Sequence, residues 1–185
     1  MDKSKIQTAY FAGGCFWCMV SPFDILKGIL EVRSGYMGGH LKNPRYEEVK
    51  KQETGHYEVV RILYDPSVIS YEKLLAAFWR QVDPTDDGGQ FHDRGPSYRT
   101  AIFYTTEEQR LTAEKSKREL DESGRFPDPL VTPILPAPDF YDAEEYHQDF
   151  YKKNPANYKI DRTKSGRDEF IKKYWGDDYE DIFDE

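Results

Sequence analysis

Short runs of apolar and β-branched residues alternate along this chain with segments whose apolar residues recur at helical spacing. The runs predict strands at 7–12, 29–36, 57–64 and 98–104, with a further short strand at 131–135. The helical spacing of Met19, Phe23, Leu26 and Ile29 predicts a first helix after the first strand. Further helices are predicted over 71–81 and 107–122, with a short helical piece at 143–151. The order β-α-β-β-α-β is typical of an α+β fold of the ferredoxin-like, split βαβ type, in which helices cover one face of the sheet.

The pattern weakens after Pro136, and we predict a long, coil-rich C-terminal extension in which 154–166 is mostly coil. A chain of 185 residues is long enough for one domain with a substantial core. We therefore predict a single catalytic domain over residues 1–176. Residues 177–185 hold six acids and are expected to form a flexible acidic tail.

Charge and composition exclude several classes of partner. The net charge of −8 and the pI near 5.1 argue against nucleic acid or an anionic membrane as a partner. No run approaches the roughly 20 apolar residues of a membrane span, and the N-terminus lacks a signal-peptide pattern. We expect a monomer in the cytoplasm. Aromatic residues make up 15% of the chain, which predicts an aromatic core and an aromatic-lined cleft.

Both cysteines lie in Gly13-Gly14-Cys15-Phe16-Trp17-Cys18, at the predicted junction of the first strand and first helix. A helix N-terminus favours a thiolate, so Cys15 is the better candidate nucleophile. Cys18 follows at i+3, about 5–6 Å away on a helix, which suits a reversible disulfide. Pro22 is expected only in the first turn of a helix, which leaves the start of this helix open by a few residues.

Other interpretations of the cysteine pair remain open at this point. The pair could be buried structural thiols, the redox centre of a general thiol–disulfide oxidoreductase, or part of a non-enzymatic metal-binding module. A structural zinc site normally needs four ligands. The histidines are scattered at positions 40, 56, 92 and 147, and there is no second cysteine pair. We therefore predict redox chemistry, with no metal and no bound cofactor.

Glu58 is the acid of greatest interest, because it lies at the start of a strand that is otherwise mainly apolar. Strand alternation alone would place it toward solvent. If it instead lies near the cysteines among aromatic side chains, desolvation raises its pKa and gives a proton donor near neutral pH. Tyr36, Tyr46 and Tyr98 lie at loop ends and could donate hydrogen bonds in the same cleft, and Asp93 could orient a polar neighbour.

The stretch Gly14-Cys15-Phe16-Trp17 resembles the signature of the type A peptide-methionine sulfoxide reductases (the MsrA family). Six further stretches, in the same order as in that family, extend the resemblance over nearly the whole chain. They are Gly35–Gly39, Asn43–Tyr46, Thr54–Glu58, Asp93–Arg99, Phe140–Glu144 and Lys153–Pro155. Many relatives have glycine in place of Cys18 and keep a recycling cysteine near the C-terminus, whereas this chain has no cysteine after Cys18.

The resemblance implies reduction of the S epimer of methionine sulfoxide, free or in proteins, as repair of oxidative damage. It implies that Cys15 is the nucleophile and Glu58 the proton donor, and that Cys18 resolves a Cys15 sulfenic acid to a disulfide. It implies that thioredoxin, or dithiothreitol in vitro, is the reductant. The substrate-binding residues that it implies are Phe16, Trp17, Tyr46, Asp93 and Tyr98.

Overall fold

The computed structural model of the protein describes residues 5–183. The strands are β1 (Gln7–Gly13), β2 (Ile29–Met37), β3 (Tyr57–Tyr64), β4 (Gly89–Gln90), β5 (Asp93–Arg94), β6 (Thr100–Tyr104), β7 (Ile134–Pro136) and β8 (Phe140–Asp142). The α-helices are α1 (Phe16–Asp24), α2 (Tyr46–Val49), α3 (Tyr71–Trp79), α4 (Glu107–Glu122), α5 (Phe150–Lys153), α6 (Pro155–Ser165) and α7 (Arg167–Tyr174). Short 3₁₀ helices cover Pro96–Tyr98, Glu145–His147 and Gly176–Ile182.

The main sheet has six strands in the order β7-β6-β1-β3-β2-β8, and β4 and β5 pair separately. All neighbours in the main sheet are antiparallel except β6 and β7, which are parallel. The fold is therefore mixed α+β. Among residues 5–183, no helix has the length and apolar content needed to cross a membrane.

The main core lies between the sheet and helices α1, α3 and α4. Side chains alternate along β1, and Phe11 faces the helices, fully buried, with its ring stacked 5.0 Å from Phe78 and 5.7 Å from Phe23. The helices begin where the sequence supplies caps, since Ser70 accepts from the amide of Lys73 and Thr106 from that of Gln109. The aromatic core predicted from composition is confirmed.

The sequence suggested that Pro22 lies in the first turn of a helix, and this expectation is wrong. Helix α1 begins at Phe16 and contains Pro22 in its interior. A proline there removes the N–H that would bond the carbonyl of Cys18, four residues earlier. The helix tolerates this loss because Arg162 Nη1 donates to that carbonyl at 3.3 Å.

The predicted coil at 154–166 is wrong, because α6 occupies nearly all of it, and α7 follows directly after Gly166, which has φ 80°. Pro155 begins α6 rather than breaking it, since a proline fits the first position of a helix. Helix α6 has no fully buried residue, which explains why hydrophobic periodicity did not reveal it.

The C-terminal segment also differs from the predicted flexible tail. In the described part, Gly176–Ile182 is helical, and Tyr179 packs against the core while its hydroxyl accepts from Gln81 Nε2 at 2.8 Å. Asp178 pairs with Arg125 at 2.8 Å. Residues 184 and 185 lie outside the described residues.

Candidate active site

Cys15 lies directly between β1 and α1, as its N-cap residue. Gly14 makes the turn with φ +86°, in the left-handed region that favours glycine, and a Cβ there would lie 2.6 Å from Gln90 Cβ. Both features require glycine at position 14. The predicted strand–turn–helix placement of the cysteines is confirmed, and Cys15 is 8% exposed.

Cys18 lies in the first turn of α1, where its amide donates to the carbonyl of Cys15 at 3.1 Å. Both cysteines are free thiols, and Cys18 is 1% exposed. The two sulfurs and a carboxylate oxygen of Asp161 lie within 4.8 Å of one another. A disulfide between these cysteines therefore requires little movement of the chain.

A hydrogen bond between the two thiols shifts the pKa values of Cys15 and Cys18 in opposite directions. A hydrogen bond from the Cys15 thiol to the Cys18 sulfur lowers the pKa of Cys18 to about 6, helped by the charges of Arg167 and Arg162 and opposed by burial. The same hydrogen bond, together with burial, raises the pKa of Cys15 well above its ordinary value. These surroundings oppose the thiolate that the helix N-terminus is expected to favour at Cys15, and the role of Cys15 as nucleophile remains a prediction.

Glu58 is 3% exposed and faces α1 from β3, where its Oε1 accepts from the amide of Phe16 at 3.1 Å. Burial raises the pKa of Glu58 to about 8, although the hydrogen bond from Phe16 opposes the shift. The carboxyl group is thus mainly protonated at neutral pH. The structure places Glu58 beside α1 and away from solvent, the condition on which a raised pKa depended, whereas its role as proton donor remains a prediction.

Tyr46 and Tyr98 lie in the same cleft. Burial raises the pKa of Tyr46 to about 12 and also raises that of Tyr98, and the charges of Glu58 and Cys15 add to both shifts. Both phenols therefore keep their protons and can donate hydrogen bonds. Tyr36 differs, because its hydroxyl donates to Glu144 at 3.0 Å.

Two aromatic side chains, Phe16 and Trp17, stand directly beside Cys15. Phe16 is 1% exposed, and the Trp17 ring stacks on Phe150 with centroids 3.8 Å apart. Trp17 Nε1 donates to Nδ1 of the buried His147 at 3.0 Å. His147 also lies 5.1 Å from the ring of Phe16 and 4.6 Å from that of Tyr46, centroid to centroid.

His147 and Phe150 were not predicted as site residues. The available signal was the aromatic character of the predicted helical piece at 143–151. The contacts of Trp17 with His147 and Phe150 could not be predicted, because these residues lie far from Trp17 along the chain.

Asp93 lies on β5, with its side chain 25% exposed and its Oδ2 3.5 Å from His92 Nε2. Burial raises the pKa of Asp93, although His92 opposes the shift. Its charge in turn raises the pKa values of Cys15 and Glu58, so Asp93 belongs to the same cleft. The structure therefore brings together all the residues proposed from the sequence as the site.

Cys15, Cys18 and Asp161 are the group in the described chain that could hold a metal ion. The charges of Arg162 and Arg167 act on Cys18 and repel a divalent cation there. This arrangement favours a thiolate over a metal complex.

A thiol pair beside a protonated carboxylic acid, in a cleft with aromatic walls and two phenol donors, defines a thiol-dependent reductase. The chain belongs to the peptide methionine sulfoxide reductase family, since the model of that family, "Peptide methionine sulfoxide reductase", matches residues 7–179. The protein is therefore a peptide methionine sulfoxide reductase, a thiol-dependent oxidoreductase. Family membership argues against the general thiol–disulfide oxidoreductase and the metal-binding module.

Relatives and solved structures agree with this assignment. The chain is 62% identical over 176 residues to peptide methionine sulfoxide reductase MsrA of Halalkalibacterium halodurans, covering 95% of this chain and 99% of that one. It is 61% identical over 174 residues to MsrA of Bacillus subtilis, covering 94% and 98%. Reduced Mxr1 from Saccharomyces cerevisiae has a similar structure, with a TM-score of 0.78, 31% identity, and coverage of 84% and 89%. Mxr1 in complex with Trx2 is similar in fold, with a TM-score of 0.58, 24% identity, and coverage of 79% and 86%.

Proposed function

We propose that the protein reduces the S epimer of methionine sulfoxide, free or in proteins, using Cys15 as nucleophile and Glu58 as proton donor. The observation that supports this most is the 3.1 Å hydrogen bond from the Phe16 amide to Glu58, which fixes a carboxylic acid beside Cys15. Phe16 and Trp17 offer apolar surface for the substrate methyl group. Tyr46 and Tyr98 are proposed as donors to the sulfoxide oxygen, and Asp93 as a group that orients substrate.

In the first step, the Cys15 thiol passes its proton to the Cys18 thiolate and its sulfur bonds to the sulfoxide sulfur. Glu58 gives its proton to the sulfoxide oxygen, which neutralises the charge that develops there. The hydroxyl group then passes from the substrate sulfur to the Cys15 sulfur, while the sulfur–sulfur bond breaks and leaves its electron pair on the substrate sulfur. Methionine is thereby released, and Cys15 is oxidised to a sulfenic acid. Glu58 then regains a proton from solvent.

In the second step, the Cys18 sulfur attacks the sulfenic sulfur of Cys15. The oxygen leaves as hydroxide and takes the Cys18 proton, so water forms together with the disulfide. We propose thioredoxin as the reductant of this disulfide, supported by the solved complex of Mxr1 with Trx2. Dithiothreitol would serve in vitro.

Cys18→Ser is expected to leave the first step intact and to stop recycling. Without reductant the variant should release about one methionine per enzyme. It should then stall with thioredoxin, which attacks a disulfide, while dithiothreitol rescues part of the turnover by reducing the sulfenic acid. Methionine release should be measured with each reductant. Normal turnover of Cys18→Ser with thioredoxin would contradict the role of Cys18.

The first step should have a bell-shaped pH dependence. Below a pH of about 6, Cys18 gains a proton and can no longer accept that of Cys15, so the rate falls. Above a pH of about 8, Glu58 loses the proton that it must donate, so the rate falls about tenfold per pH unit. Single-turnover methionine release across this range would measure both limbs. A rate that still rises at a pH about one unit above the Glu58 pKa would contradict the assignment of Glu58 as proton donor.

We propose a ferredoxin-like split βαβ core, supported by the antiparallel order β6-β1-β3-β2 with α1 and α3 as its two helices. We also propose a monomer with one catalytic domain over residues 1–176. A cytoplasmic location would suit it, because a reducing compartment keeps Cys15 and Cys18 as thiols between turnovers.

A further inference from the structure

Arg162 is fixed directly over the first turn of α1. Pro22 leaves the Cys18 carbonyl without its usual helical donor, and Arg162 Nη1 fills that position at 3.3 Å. The other side of the guanidinium is held by Asp168, with Nε and Nη2 each 2.8 Å from its Oδ1. The positive charge of Arg162 is therefore anchored on the side of Cys18.

A second guanidinium, that of Arg167, approaches from α7. The Arg167 side chain is buried, and its Nη2 donates to the Gly13 carbonyl at 2.9 Å and its Nη1 to the Gln81 carbonyl at 2.6 Å. Its charge and that of Arg162 lower the pKa of Cys18. Two positive charges thus favour a thiolate on Cys18.

Cys15 has the opposite surroundings. The hydrogen bond to Cys18 and burial raise its pKa, and the carboxyl groups of Glu58 and Asp93 add to the shift, which disfavours negative charge on its sulfur. Cys15 is also the more accessible of the pair, at 8% exposure against 1% for Cys18. In thiol–disulfide exchange, attack falls on the accessible sulfur whose partner leaves as the more stable thiolate.

We propose, as an extension of the proposed function, that thioredoxin attacks the Cys15 sulfur of the Cys15–Cys18 disulfide, and that Arg162 is a positioning residue that stabilises Cys18 as the leaving thiolate. The partner thiolate forms a bond to Cys15 while the Cys15–Cys18 bond breaks and its electron pair goes to Cys18. A second thiolate of the partner then attacks the partner's own bonded sulfur and releases Cys15, which takes up a proton. The partner dithiol is oxidised by two electrons and the enzyme disulfide is reduced by two.

The site of attack can be mapped directly. The enzyme is first oxidised with methionine sulfoxide and its Cys15–Cys18 disulfide is confirmed by peptide mass. It is then mixed with a thioredoxin whose second active-site cysteine is replaced by serine, and the reaction is quenched with acid. Chymotryptic cleavage after Phe16 or Trp17 separates the two cysteines.

The proposal predicts an adduct on the Cys15 peptide. An adduct mainly on Cys18, or none on Cys15 when intact thioredoxin reduces the same sample, would overturn it. Failure to form the Cys15–Cys18 disulfide at all would instead contradict the proposed function.

Arg162→Gln tests the positioning role. In this variant, reduction of the disulfide by thioredoxin should slow about threefold for each unit by which the Cys18 pKa rises. This decrease should be larger than the decrease in the rate of methionine formation. The acidic limb of the first-step pH profile should also move to higher pH, which a merely structural defect would not produce. The titratable groups that act on this pKa come from the turn before α1, from β3, from α6 and from α7: Cys15, Glu58, Tyr158, Asp161, Arg162 and Arg167.

Two further variants complete this test. Arg162→Lys should restore part of the rate because it keeps the charge, and Lys164→Gln, an exposed change on the same helix, should alter neither rate nor profile. Equal slowing of both steps in Arg162→Gln, with an unmoved acidic limb, would overturn the role of Arg162.

Discussion

Cys15→Ser is expected to abolish methionine sulfoxide reduction, with dithiothreitol as well as with thioredoxin. The oxygen-accepting sulfur lies at the N-cap of α1, beside the carboxyl group of Glu58. A serine hydroxyl cannot take the sulfoxide oxygen as a sulfenic acid, and Cys18 is too deeply buried to replace it. No small-molecule thiol can rescue a step that never forms the oxidised intermediate.

The loss in Cys15→Ser should be chemical rather than structural. Serine is among the preferred N-cap residues, so α1 should be at least as stable in the variant. Methionine release should be measured together with thermal unfolding, and Cys18→Ser serves as the matched control. Substantial turnover by a folded Cys15→Ser protein would show that another group is the nucleophile.

Glu58→Gln is expected to slow the first step by about 10²–10⁴, the usual contribution of general acid catalysis. Glutamine has nearly the same shape, and its oxygen can still accept from the Phe16 amide, but it has no acidic proton. Single-turnover methionine release would measure the effect. A loss of less than about tenfold would mean that another group protonates the sulfoxide oxygen.

Stability provides an independent check on Glu58. Its folded pKa of about 8 lies above the unfolded value, so its stabilising contribution is complete below the unfolded pKa and is lost as pH rises through the folded one. Glutamine does not titrate. The free energy of unfolding of Glu58→Gln, relative to the natural protein, should therefore increase by about 3 kcal/mol between a pH of about 6 and about 9. No relative change would contradict a buried, protonated Glu58.

The sequence predicts the part of the site that depends on local signals. Gly14 and the flanking apolar patterns place Cys15 and Cys18 at a strand–helix junction, and β3 matches its predicted bounds at Tyr57–Tyr64. Glu58 was harder to place, because alternation alone suggested a solvent-facing side chain. It is buried because its face of the sheet is the one that α1 covers.

The C-terminal contribution to the site could not be predicted from hydrophobic pattern. Arg162 reaches Cys18 across 144 positions of the chain, and Arg167 reaches Gly13 across 154. These contacts are polar and long-range, so they leave no periodic trace in the sequence. The charges of Arg162 and Arg167 nevertheless add to the hydrogen bond from Cys15 in lowering the pKa of Cys18.

We expect Cys15 to take the sulfoxide oxygen as a sulfenic acid and Cys18 to resolve that sulfenic acid to a disulfide. The most direct test is the intact mass of the reduced protein after exposure to the S epimer of a methionine sulfoxide substrate without reductant, with the R epimer as control. The expected result is a mass loss of two hydrogens with the S epimer only, and a peptide that links residues 15 and 18. A protein that forms methionine from the S epimer yet keeps two free thiols would contradict it.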